Sequence, residues 1–262
     1  MQKRTAYCEN PICSLAVLSV MGDRTDQQDD FGYMLDDERS LIIVCDGMGG
    51  HEGGRLASNA AVNRFILQYK SAPKNYEIIP FLEECTALAN ADVLNLKTAS
   101  GEKLNAGSTL VAVMLDSSRN LYWNSVGDSR LYLFRDGDFA QITQDHNYTT
   151  VLLEKLNAGM IDREEFNSEN LKGEALISFL GISGSPLLDF NNLPLPLMPV
   201  DKLEIMSDGL YKVLPDADIL NIVNNFSNVN ETAMALEIKA EKTATKNGIS
   251  RDNTTIAVLK IK

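Results

Sequence analysis

The sequence predicts a mixed α+β domain, on three observations. Short apolar runs bounded by turn residues recur at 14–21, 31–35, 41–45, 109–115, 121–126, 131–134, 139–142, 203–206 and 254–261, each of strand length. Between them stand blocks of helical periodicity at 56–69, 76–96, 215–224 and 231–245, with apolar residues every three or four positions, as in Ala57, Ala60, Ala61, Phe65 and Ile66. No internal repeat, low-complexity linker or clean boundary divides the 262 residues, so a single domain with a sizeable core is expected.

Composition removes several functions. A net charge of −12 argues against non-specific binding to nucleic acid or to an anionic membrane. No apolar run approaches the roughly 20 residues of a membrane helix. The short apolar stretch near the N-terminus is interrupted by Glu9, Asn10 and Pro11, so no signal peptide is expected. Four cysteines are scattered and Cys45 falls in a buried run, which points to reduced thiols and a cytoplasmic protein. Cys8 and Cys13 lack two nearby partners for zinc.

The elements follow in order. After the strand at 14–21 comes GDRTDQQDDF, a short loop crowded with four carboxylates and Arg24; alone it reads as a solvated turn. The strand at 31–35 turns back into 41–45, which brings Asp29 near Asp46. Residues 41–54, LIIVCDGMGGHEGG, organise the chain: a buried strand ends on Asp46 and five glycines follow in a tight, close-approach loop. A carboxylate there, with bare backbone after it, suits a hard cation such as Mg²⁺ or Mn²⁺, although most Asp-Gly pairs are plain turns. The helices at 56–69 and 76–96 present core faces, and Pro80 falls in a first turn, where proline is tolerated.

Gly107-Ser108-Thr109 opens the next strand, and 121–126 ends in Gly127-Asp128-Ser129-Arg130. Asp136-Gly137 lies between two short strands and predicts a type I′ hairpin with no chemistry to do. From Asp145 the pattern becomes polar and mostly helical over 148–180, with Asp162 placed to cap a helix and Glu165 three residues on. Residues 183–200 carry four prolines and read as loop. The strand at 203–206 ends in Ser207-Asp208-Gly209, and Arg251-Asp252-Asn253 precedes the terminal strand.

Asp29, Asp46, Asp128, Asp208 and Asp252 therefore all stand where a strand begins or ends. Carboxylates brought together repel, so such a cluster calls for cations. Two hard cations sharing one carboxylate hold and acidify water, the device of two-metal phosphatases. Arg24 has the planar fork that grips a phosphate.

The blocks GDRTDQQDDF, CDGMGGH, GSTL, VGDSRLYLFRDG, ITQDHN, SDGLY and SRDNTT, in this order over about residues 15–260, resemble the metal-dependent protein phosphatases of the PPM family (type 2C) in their compact bacterial form. The resemblance implies a four-layer α-β-β-α sandwich of two antiparallel sheets, with a dimetal site in the cleft at one end. It implies that Asp46 bridges both ions, that the Gly47 carbonyl binds one, and that Asp208 and Asp252 complete a shell. Asp29 would order water, Arg24 would bind phosphate, and Asp128 would hold a third, weaker ion. The cofactor would be Mn²⁺ or Mg²⁺, two ions bound tightly. Residues 147–180 match a mobile flap. The implied reaction is hydrolysis of phosphoserine and phosphothreonine in proteins by metal-activated water, without a phosphoenzyme. The implied setting is a cytoplasmic, signalling monomer paired with a serine/threonine kinase.

The sequence departs from the family at Gln27, where asparagine is common, and at Phe179, where arginine is usual. The position directly after Asp-Gly, a proposed acid histidine in some members, is Met48, and His51 comes three residues later. His51 and metal-bound water are alternative acids for the leaving oxygen, and His146 reads as structural. A small phosphorylated substrate, or a non-catalytic sensing role, are the alternative functions; the latter usually loses metal carboxylates that this chain keeps.

Overall fold

Antiparallel hydrogen-bond pairing sorts the strands into two sheets. The computed structural model describes residues 3–50, 52–73 and 75–262. The first sheet runs β1 (Lys3–Glu9), β2 (Cys13–Val20), β13 (Thr254–Ile261), β12 (Lys202–Met206), β8 (Arg130–Arg135), β9 (Asp138–Gln141). The second runs β10 (Asp189–Phe190), β7 (Asn120–Val126), β6 (Leu110–Asp116), β4 (Arg39–Gly49), β3 (Asp29–Leu35), with β11 (Leu195–Pro196) beside β7 and β5 (Ala106–Ser108) beside β4.

Leu15, Val17, Ile205 and Ala257 of the first sheet meet Ile42, Val44, Val111 and Val113 of the second in an apolar middle core. The opposite face of the second sheet, with Leu41, Ile43 and Ala112, is covered by α1 (Gly53–Ser71) and α2 (Ile78–Leu94). The outer face of the first, with Leu18, Met206 and Val258, is covered by α6 (Asp216–Asn225) and α7 (Val229–Asn247). Because both faces of each sheet are buried, the central strands read as continuous apolar runs. The result is the α-β-β-α sandwich.

The structure also differs from the sequence expectations. β1 was not foreseen, because KRTAYCE is largely exposed; it forms by pairing along β2 from Lys3↔Val20 to Glu9↔Ser14, and its charges suit an edge strand. β4 does not stop at Asp46 but continues to Gly49, because β5 supplies a partner from Gly47↔Ser108 to Gly49↔Ala106. The stretch 148–180 is helical only through α3 (Tyr148–Asn157), α4 (Arg163–Glu169) and a 3₁₀ turn at Asn170–Lys172. It then returns extended through bridges Asn147↔Leu176 and Ser108↔Leu180. Two short strands, β10 and β11, lie within the proline-rich loop. Asp162 accepts from the Glu165 amide at 2.8 Å as expected of a cap. Asp136 and Gly137 have φ of 55° and 85°, as a type I′ turn requires.

Glu204 stands alone in the helix-side core. It is fully buried on β12 opposite Tyr132 and Val258, and neither carboxyl oxygen has a hydrogen-bond partner among the described residues. Burial, reinforced by Asp216, pushes its pKa up to about 8. The fold therefore keeps a proton that the unfolded chain releases above pH about 4.5, and stability falls as pH rises towards 8. Replacing Glu204 by Met is expected to stabilise the protein at pH 8 by about 2 kcal/mol, the order of cost of an unpartnered buried polar group, and much less at pH 5. Urea unfolding at both pH values measures this; equal effects at both would show that the carboxyl does not titrate there.

Candidate active site

Five carboxylates come together because the strands that carry them end at the same end of both sheets. Asp29 opens β3 and is in register with Asp46 on β4. Asp128 follows β7, Asp208 follows β12 at the start of α5 (Asp208–Tyr211), and Asp252 precedes β13. Asp46, Asp128, Asp208 and Asp252, with Arg24 and Lys212, line a cleft of about 380 Å³.

The flanking motif residues hold this arrangement. The Asp46 amide donates to Thr109 Oγ1 at 2.9 Å, and the Asp46 carbonyl accepts from the Thr109 amide at 2.8 Å and from Ser108 Oγ at 3.1 Å. Thr109 Oγ1 and Ser129 Oγ lie 2.7 Å apart and share a hydrogen bond, so the GSTL and GDS blocks lock together behind Asp46. The backbones at Gly47 and Gly54 press together: a Cβ on Gly47 would stand 2.0 Å from Gly54 O and 2.6 Å from Gln28 O.

Across the sandwich, Ser207 Oγ donates to Asp29 Oδ2 at 2.7 Å and accepts from the Thr255 amide at 2.9 Å. Asn253 accepts from the Gln28 amide and donates to the carbonyls of Met21 and Asp26, tying the arginine loop to β13. Arg251 forms a buried fork on Glu237 of α7. Gln27 fits its place: it donates to Ser19 Oγ and accepts from the Asp29 amide.

Negative charge in the cleft exceeds what the protein's own cations offset. Burial raises Asp29 to about 7, with Asp208 and Asp252 adding to it against the opposing Ser207 and Thr255 hydrogen bonds. Burial and then Asp29, Asp208, Asp128 and Asp252 hold the Asp46 carboxyl well above its usual range. Asp128 rises to about 6 through burial and Asp208, opposed by Lys212. Asp29 Oδ1 and Asp208 Oδ1 are buried with no partner among the described residues. Orphaned hard oxygens in such a field fit a divalent ion of the Mg²⁺ or Mn²⁺ kind.

The carboxylates do not close into a cage: among the described residues no three His, Cys, Asp or Glu side chains stand in ready coordination. Two of them are engaged elsewhere. Arg24, with 59% of its side chain exposed, donates to Asp252 Oδ2. Lys212 Nζ lies 2.7 Å from Asp208 Oδ2 and 3.2 Å from Glu174 Oε2. Sequence reading missed Lys212, although it stands four residues after Asp208, the spacing of neighbours on a helical turn. It also missed Glu174 and the scaffolding hydroxyls of Ser108, Thr109, Ser129 and Ser207.

His51 lies outside the described residues. His146 is buried, with Nδ1 accepting from the Gly127 amide at 3.2 Å and its own amide donating to Gly127 O at 2.9 Å, so it shapes the loop that carries Asp128. Phe179 packs over Gly107, whose added Cβ would meet the ring at 2.6 Å. It docks the extended return from Gly173 against β5.

A family profile described as Protein phosphatase 2C matches residues 20–241. The serine/threonine phosphatase stp of Listeria innocua is 29% identical over 217 residues, covering 82% of this chain and 83% of the relative. A Streptococcus agalactiae serine/threonine phosphatase structure superimposes with a TM-score of 0.79 at 24% identity, over 95% of this chain and 100% of that one. The catalytic domain of the serine/threonine protein phosphatase PstP, solved with two manganese ions, gives 0.75 at 25% identity over 95% of this chain and 98% of that one.

Proposed function

The chain belongs to the protein phosphatase 2C family, and on that premise we propose that it is a divalent-metal-dependent phosphatase that hydrolyses phosphoserine and phosphothreonine in proteins at this cleft. The observation that carries the reading is Asp46, fastened through its backbone by Ser108 and Thr109 in register with Asp29, its carboxyl raised by burial and four neighbouring acids.

Asp46, the Gly47 carbonyl, Asp208 and Asp252 would hold two divalent ions, and Asp128 a third and weaker one. When bound, such ions supply the Lewis acidity that makes water a nucleophile near neutral pH. The chain's own residues do the rest. Arg24 swings from Asp252 to the phosphate and grips two of its oxygens, a motion its exposure allows. Asp29, anchored through Oδ2 by Ser207, leaves Oδ1 to orient the attacking water and receive its proton. Residues 147–180 act as a flap, since Glu174 and Leu176 reach the cleft edge. All 262 residues form the one phosphatase domain. We place the protein in cytoplasmic signalling, as a monomer opposing a serine/threonine kinase; among the described residues no helix is long and apolar enough to cross a membrane.

Turnover of p-nitrophenyl phosphate with Mn²⁺ or Mg²⁺, its loss in EDTA, and preference for a phosphothreonine over a phosphotyrosine peptide test the reading. Metal-independent turnover would sink it. In the same assay Arg24→Ala is expected to raise KM more than it lowers kcat, with lysine restoring only part of the loss because it lacks the fork. An unchanged kcat/KM on the phosphopeptide would make Arg24 a surface residue.

A further inference from the structure

Lys212, just past α5, lines the cleft and touches two elements. Its Nζ pairs with Asp208 on its own turn and with Glu174 on the extended return of the 147–180 segment. The two arms differ in strength. The Asp208 side chain is 16% exposed and its second oxygen has no partner among the described residues, so this arm works in a partly desolvated setting. Glu174 is 80% exposed, so its arm is a screened surface contact of small individual value. Asp128 is a third acid within the field of the ammonium, which holds its carboxyl down against burial and Asp208. Lys212 also lines the neighbouring groove of about 630 Å³ that runs under α3, so it stands at the junction of the two openings.

Resting on the metal reading of Asp208, we infer that Lys212 is a built-in counter-ion that competes with the divalent ion for Asp208 and tethers Glu174 to the cleft until the ion arrives. Lys212 holds Oδ2 while Oδ1 has no partner among the described residues, and a divalent ion on Oδ1 repels an ammonium held on the other oxygen of the same carboxylate. Entry of the ion therefore releases Lys212 from Asp208, and with it the anchored end of the tether. The weak Glu174 arm does not hold the segment by itself. The same fixed charge, near Asp128, keeps any ion on that side weakly bound. Lys212 is thus a positioning residue, acting on metal occupancy and on the segment beside the cleft.

The test is Mn²⁺ titration calorimetry, with amide hydrogen exchange over residues 173–177, on the whole protein and three variants. Lys212→Met keeps the length of the side chain and removes its charge. It should bind Mn²⁺ about tenfold more tightly, the order of effect of one nearby unit charge in a solvent-screened site, and should show faster exchange at 173–177. Lys212→Arg keeps the charge and should behave as wild type in affinity. Glu174→Gln cuts only the tether, so exchange should quicken while Mn²⁺ affinity stays near wild type. Saturating Mn²⁺ should quicken exchange at 173–177 in the wild-type protein. A wild-type protein that binds Mn²⁺ while Lys212→Met shows the same affinity would overturn this inference and leave the metal reading standing. A wild-type protein that takes up no Mn²⁺ would overturn both. Because calorimetry reports on folded protein directly, a Lys212→Met chain that fails to fold leaves Lys212→Arg and Glu174→Gln to decide: a changed affinity in either overturns the competition.

Discussion

Asp46→Asn is expected to lose at least about a hundredfold in turnover of a phosphothreonine peptide, the order that metal activation of water supplies, and to gain thermal stability in EDTA. Both effects have one cause. Asp46 faces Asp29 in register and lies in the field of Asp208, Asp128 and Asp252, which with burial hold its carboxyl well above its usual range. Without metal, ionising it costs folding energy. A group with a raised folded pKa loses stability as pH rises above its unfolded value, so removing the charge should help more at pH 8 than at pH 5. The melting temperature in EDTA should rise by roughly 3 °C at pH 8, the shift that about 1 kcal/mol produces in a chain of this size. With Mn²⁺ present the order should reverse, since only the wild type gains stability from the ion. Calorimetric melting with and without Mn²⁺, beside phosphopeptide kinetics, measures the pair. An active Asp46→Asn would remove Asp46 from the mechanism. Asp136→Asn, in the hairpin at β8–β9, should keep full activity.

Gly47→Ala should be severely damaging for a single methyl group. Its Cβ would stand 2.0 Å from Gly54 O and 2.6 Å from Gln28 O, and both are backbone atoms that cannot turn aside. The strand carrying Asp46 would have to part from the start of α1 and from the arginine loop. We expect a loss of about 3 kcal/mol or more, at the upper end for overpacking, or failure to fold. Gly50→Ala, three residues away in the same glycine-rich stretch, meets no described residue within 4 Å and should be tolerated. Urea melts of the two variants check this. A Gly47→Ala protein as stable as Gly50→Ala would mean the close approach is not maintained in solution.

The strands and helices were legible in the sequence because burial leaves a one-dimensional trace. Residues 41–45 and 256–259 are apolar throughout because their strands are covered on both faces, and the Asp136-Gly137 turn needs left-handed backbone that its composition announces. The candidate site was legible as a set of acids at strand ends. Pairing of Asp29 with Asp46 followed from the short return between their strands. β1 was not legible, since an exposed edge strand carries no apolar signal and owes its form to hydrogen bonds with β2.

The sequence by itself determined which residues carry charge at the ends of buried strands, and so the donor set offered to a cation. The tertiary structure decided which charges on distant turns meet. That Arg24 turns to Asp252, that Lys212 reaches Glu174, and that Thr109 fastens Asp46 to Ser129 are long-range contacts between separately encoded turns. Only the stacking of two sheets brings those turns to one end, and electrostatic energy depends on that separation in space, which spacing along the chain does not record.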